Sequence, residues 1–128
     1  SVLLLKRSSF LLITLLIHLL IHVRHWRIVR GVTVEWDPAK NRVNIRKHGV
    51  SFEEASELFE LDDDRILEVY DFEHSLDEDR LISIGPIRRG TIVVVSVERD
   101  QGSVLRLISA RFASNAEEQR YSQAIGGV

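Results

Sequence analysis

The chain has 128 residues, enough for one small domain, and its formal charge of −2 conceals an uneven distribution. Residues 1–31 hold five basic groups (Lys6, Arg7, Arg24, Arg27, Arg30) and no acid, so of 17 basic and 19 acidic residues the part from 32 onward keeps 12 and 19, a net of −7. Cysteine is absent, which excludes a disulfide framework, a thiolate zinc site and a cysteine nucleophile together.

Phe10–Val23 reads FLLITLLIHLLIHV, an apolar-dominated run of 14 residues. A membrane-spanning helix needs roughly 20. No small-residue cleavage site follows; the chain continues Arg24–His25–Trp26–Arg27. His18 and His22 share a helix face at the spacing of a two-histidine metal site, but no third ligand lies nearby, so no metal site is expected there. Methionine is also absent. The expectation is that residues 1–31 are an apolar, basic extension upstream of the true start, which would lie near Val29 or Val32. A membrane-associated N-terminus is the alternative.

Val32–Trp36 alternates apolar and polar residues, as a short strand does, and ends at Asp37–Pro38, the cap and first residue of a helix. That helix should stop at His48, before the helix-ending Gly49. Ser51–Phe52–Glu53–Glu54 has the reciprocal capping pattern, with Val50 and Ala55 as an apolar staple. It opens a second helix to about Glu60, burying Phe52, Ala55, Leu58 and Phe59.

Four strand candidates follow, Arg65–Tyr70, Arg80–Gly85, Thr91–Glu98 and Val104–Arg111, separated by turn formers at Gly85–Pro86, Arg89–Gly90 and Asp100–Gln101–Gly102. Connections this short favour antiparallel pairing. Ser114–Asn115–Ala116–Glu117 repeats the capping pattern and starts a last helix ending near Gly126. The expected order over residues 32–128 is β-α-α-β-β-β-β-α, an α+β domain with helices on one face or end of a four-stranded antiparallel sheet.

Residues 53–79 contain 13 acids and one base, Arg65, whereas residues 80–112 contain six arginines (Arg80, Arg88, Arg89, Arg99, Arg106, Arg111) and two acids. Those arginines fall on the sheet and could converge as a polyanion-binding face. They could equally be solvated positions paired with the acidic segment. Asp62–Asp63–Asp64 and Asp77–Glu78–Asp79 lack the glycine and distal glutamate of a calcium loop and read as solvated loops. No Gly-rich phosphate loop, G-x-S-x-G elbow or H-E-x-x-H occurs, so nucleotide hydrolase, serine hydrolase and zinc protease readings lose their usual support. Outside the leader only His48 and His74 remain, and His48 suits a cap at a helix C-terminus, where its positive form is favoured.

The strings Glu35–Trp36–Asp37–Pro38–Ala39–Lys40, Asn44-x-x-Lys47–His48–Gly49–Val50–Ser51–Phe52–Glu53–Glu54–Ala55, Asp79–Arg80, Ile84–Gly85 and Ile108–Ser109–Ala110–Arg111, with Glu117 and Arg120–Tyr121, closely resemble the BrnT family of toxins over about residues 32–124. Residues 1–31 have no counterpart in that pattern. The resemblance implies a RelE-like α+β fold and a cytoplasmic, metal-independent, cofactor-free endoribonuclease that arrests translation. It also implies neutralisation by a BrnA-type ribbon-helix-helix antitoxin, with operator DNA met only through the complex and no membrane partner. Such an enzyme must activate the ribose 2′-hydroxyl, offset charge on phosphorus and protonate the 5′-oxygen. Placed on the motif, Arg80 and Arg111 are expected to hold the phosphate, since a guanidinium is permanently charged and grips two oxygens. Lys47 and His48 are the proton-transfer candidates, with Tyr121 or Glu35 as alternatives. Arg88, Arg89, Arg106 and Tyr121 are expected to contact RNA. A catalytically inactive module that only binds antitoxin or RNA is the competing reading.

Overall fold

Alternation in Val32–Trp36 sends Val34 and Trp36 to one side, where both are buried. In a computed structural model, which describes residues 12, 13, 16, 25–73 and 78–126, this segment is strand β2, preceded by β1 (His25–Val29). The two pair antiparallel through Arg30–Gly31, both at positive φ (50° and 80°), as a two-residue hairpin turn requires. The apolar run Phe10–Val23, with His18 and His22, lies outside the described residues apart from Leu12, Ile13 and Leu16, and so do His74 and Asp77.

Four further strands are β3 (Leu67–Tyr70), β4 (Arg80–Ile87), β5 (Gly90–Arg99) and β6 (Val104–Phe112). They form one six-stranded sheet in the order β1-β2-β6-β5-β4-β3. The expected antiparallel meander of four strands is present as β3–β6, but the sheet is larger and mixed. β2 adds to β6 in parallel over Thr33–Glu35 and Val104–Arg106, and β1 covers the outer edge of β2. The parallel rung escapes a reading based on short connections because the whole remainder of the domain is its crossover.

Helix α1 (Pro38–His48) starts at Asp37, whose side chain accepts from the Ala39 amide at 2.8 Å, and ends at Gly49 with φ 71°. The second helix is shorter than expected. α2 (Phe52–Ala55) gives way to a 3₁₀ turn over Ser56–Glu60. Ser51 caps it as expected, accepting from the Glu54 amide at 3.0 Å, but the return half of the box is missing because the Glu54 carboxylate binds Arg89. α3 (Asn115–Ala124) carries the complete box between Ser114 and Glu117.

The core lies between the sheet and α2 with its 3₁₀ extension, joining Val34, Trp36, Ile92, Val94, Leu107 and Ala110 to Val50, Phe52, Ala55 and Leu58. α1 docks in an unusual way. Its buried residues are Asn41 and Asn44, while Val43 and Ile45 are exposed. The Asn44 carboxamide donates to the Ala110 carbonyl (2.8 Å) and the Val50 carbonyl (2.8 Å) and accepts from the Ala110 amide (3.1 Å), so one side chain stands in for a strand neighbour where β6 has outrun β2. Asn41 accepts from the Phe52 amide at 2.8 Å and donates to Glu53.

Gly85–Pro86, expected as a turn, lies inside β4, and the turn is Arg88–Arg89. A Cβ on Gly85 would sit 2.6 Å from Leu58 Cδ1, so the glycine admits the core leucine. Pro86 falls beyond the last β3 rung at Ile84, where its missing N–H deprives no partner strand. Among the described residues no helix is long and apolar enough to cross a membrane.

Candidate active site

Side chains alternate across a strand, so the face of the sheet turned away from α2 takes Glu35 from β2, Arg106 and Arg111 from β6, Val93 and Val97 from β5, and Arg80 and Ile84 from β4. Arg106 and Arg111 are five apart and would point to opposite faces of a regular strand. A register shift opposite Val95/Ser96 puts an extra residue into β6 and returns both to the same face.

Register aligns the chemistry-bearing side chains in one row. Glu35 is opposite Arg106, Arg106 opposite Val97, and Val97 opposite Arg80. Arg106 and Arg80 are therefore two strands apart, about 10 Å between backbones, a gap that two arginine side chains can close onto one phosphate. The Glu35 carboxylate faces the Arg106 guanidinium at 3.8 Å, wider than a charge-assisted hydrogen bond, and both are partly buried, their side chains 15% and 29% exposed.

The other sequence candidates gather elsewhere. Arg111 lies opposite Val93, four β5 residues and about 13 Å along the sheet from the Arg106 row. Its guanidinium forms a forked pair with Glu117 at 2.7 and 2.8 Å, the salt bridge that the sequence also allowed. Glu117 in turn accepts from the Ser114 amide at 2.9 Å. That clasp ties α3 to β6 and seats it against β4. The arginine holds the Glu117 carboxyl down at about 2, assisted by Ser114, and the same contact raises Arg111. Tyr121 completes the seating, its hydroxyl donating to the Arg65 carbonyl at 2.7 Å.

Arg89 sits at the β4–β5 turn. It bonds both Glu54 oxygens (2.5 and 2.6 Å), donates to the Gly49 carbonyl (2.6 Å) and lies over the Phe112 ring, 5.3 Å from its centre. The contact lowers Glu54 and raises Arg89 from their ordinary values. Arg88 is exposed beside it. Lys47 and His48, exposed at the end of α1, neighbour the same Gly49. Seven residues of β4, about 23 Å, separate that turn from Arg80. The structure thus brings Arg80 together with Arg106 and Glu35, and brings neither Arg111 nor the Lys47–His48 pair to them.

A cavity of about 470 Å³ opens at the end of the α2-covered face, lined by Val29, Phe59, Asp63, Glu68, Leu81 and Glu98 among others. Burial raises the Glu68 carboxyl, with Asp63 and Glu98 adding to the effect, and so many acids repel a phosphate chain. The opposite face, with its arginine row around the buried Val97, is the part of the sheet whose charge suits a polyanion. Arg106 in the central position, with Glu35 as its partner, was the assignment hardest to reach from sequence, because both residues are read there only as accessory candidates. The signal that could have found it is that Glu35 opens the E-W-D-P string, which marks the end of the strand that pairs β6 on the side away from β5.

Residues 36–117 match the family model described as ribonuclease toxin, BrnT, of type II toxin–antitoxin system. No curated protein matches the chain.

Proposed function

Because the chain belongs to the BrnT family, ribonuclease toxins of type II toxin–antitoxin systems whose partners are an antitoxin and RNA, we propose that it cuts RNA on the sheet face opposite α2, at the charged side chains of the Glu35–Arg106–Val97–Arg80 row. The observation that carries this reading is the contrast between its ion pairs. Arg111–Glu117 and Arg89–Glu54 are short and forked, whereas Glu35 and Arg106 stand 3.8 Å apart and can separate around a substrate.

Arg106 and Arg80 grip the scissile phosphate from two sides and offset the charge that grows on its non-bridging oxygens. Glu35 takes the proton of the neighbouring ribose 2′-hydroxyl. The 2′-oxygen bonds to phosphorus, the bond from phosphorus to the 5′-oxygen breaks, and the departing oxygen takes a proton from water, whose hydroxide is neutralised by the proton that Glu35 gained. The products are a 2′,3′-cyclic phosphate and a 5′-hydroxyl. Arg111 and Tyr121 hold α3 in place, and Arg89 ties the turn to α1 and α2. In the cell the activity acts on cytoplasmic RNA and is held in check by a BrnA-type ribbon-helix-helix antitoxin.

The test is RNA cleavage by the purified full chain with end mapping. Removing one transition-state donor costs on the order of 10²–10³ in rate, so Arg106→Ala and Arg80→Ala should each lose that much, and Glu35→Gln about 10²–10⁴, with circular dichroism unchanged. Wild-type cleavage in all three variants refutes the row. Absence of cleavage by the wild-type chain, with antitoxin still bound, favours the inactive module instead.

A further inference from the structure

We infer that the exposed face of α1 is a second RNA-contacting surface, one that holds phosphates of the strand outside the cleavage row; this rests on the reading that the chain acts on RNA. α1 carries Lys40, Arg42, Arg46 and Lys47, all exposed, and no acid. Among the described residues none of the four makes an ion pair, although the chain has 19 acidic residues. On the sheet and its β4–β5 turn the situation is reversed. Arg89, Arg99, Arg106 and Arg111 each face a carboxylate.

Local helix physics does not explain the arrangement. Arg46 and Lys47 suit the negative end of the helix dipole, but Lys40 lies in the first turn, where a cation is disfavoured, and Arg42 gains nothing from the dipole mid-helix. Arg42 and Arg46, four apart, repel each other along one face. A domain of net −7 gains affinity for a polyanion only from a local excess of unpaired cations, because each phosphate it neutralises releases a condensed counterion. α1 supplies four such cations within 11 residues. Single-stranded RNA is the partner of choice over an acidic protein segment because the cations wrap around the exposed side instead of forming a single seam. Lys40 and Lys47 share one stripe, and Arg42 and Arg46 another, about 100–160° further around the helix.

The experiment follows binding of a single-stranded 2′-O-methyl oligonucleotide to the full chain by fluorescence anisotropy across a salt series. With slope about −0.7 per phosphate for single strands, four contacts through α1 contribute about −2.8 to the dependence of log affinity on log salt. The pair Arg42→Gln and Arg46→Gln should reduce the slope by about 1.4 and leave kcat at saturating RNA unchanged. Arg42→Lys and Arg46→Lys, which keep the charge, should keep the slope. An unchanged slope in the glutamine pair, or no oligonucleotide binding by the wild-type chain, overturns the inference. So does an unchanged slope combined with loss of antitoxin capture, which assigns the face to a protein partner. Loss of kcat in the Arg80 or Arg106 variants, with the decrement of about 1.4 from the glutamine pair still present in them, separates failure of this surface from failure of the cleavage row.

Discussion

The Arg111–Glu117 clasp lends itself to a quantitative test because its strength appears in the Glu117 carboxyl. That group titrates at about 2 in the folded chain against an ordinary 4.5, and each pH unit of difference is worth 1.36 kcal/mol, a ceiling of about 3 kcal/mol. Arg111 is 43% exposed, so water screens the pair and about 1–2 kcal/mol is expected. The folded-state value is depressed, so the stabilisation is present above pH 4.5 and is lost as pH falls toward 2, with about half gone near pH 3. Glu117→Gln isolates the charge, since glutamine still serves in a capping box. Urea unfolding of wild type, Arg111→Ala, Glu117→Gln and the double variant at pH 7 should give a coupling energy of about 1–2 kcal/mol, shrinking by about half near pH 3. A pH-independent difference, or a coupling below about 0.3 kcal/mol, refutes the account. The same variants discriminate on function: if Arg111→Ala abolishes cleavage while Glu117→Gln retains it, Arg111 touches the substrate and does not merely hold α3.

Two further outcomes concern packing. Asn44→Ala leaves the Ala110 amide and carbonyl and the Val50 carbonyl without their partner, and a buried orphan costs about 1–3 kcal/mol; chemical denaturation should show a loss of at least about 2 kcal/mol, and hydrogen exchange should speed up at Ala110. Gly85→Ala drives a methyl to 2.6 Å from Leu58 Cδ1, so it should destabilise by about 1–3 kcal/mol, and combined with Leu58→Ala it should cost less than the sum of the two single losses.

Local signals were readable in the chain. Asp37, Gly49 and the Ser114–Glu117 box all act within a few residues, and the structure places helix ends at each. What depends on distant partners was not. Whether β2 joins the sheet is decided by Val104–Arg106, about 70 residues away, and the face Arg106 shares with Arg111 is decided by one inserted residue in β6. Gly85 looks like turn chemistry because the leucine that needs its hydrogen is 27 positions earlier. The inverted burial of α1 misleads hydrophobic patterning for the same reason: its asparagines answer backbone groups of another element, so polar side chains are the ones that go inside. For the site, residue types were legible and their grouping was not. Arg80, Arg106 and Glu35 were all in view, but only strand register sets them in a row and sends Lys47 and His48 to the far end.

The Asn44 clamp also bears on how another polypeptide can attach. An uncovered strand edge invites an incoming extended segment to hydrogen-bond alongside it, and β6 beyond Arg106 would offer such an edge at the centre of the sheet. With the Ala110 amide and carbonyl both consumed by one carboxamide, that invitation is withdrawn. Strand exchange between copies cannot begin there, and an antitoxin cannot neutralise the chain by zippering onto β6 at that point.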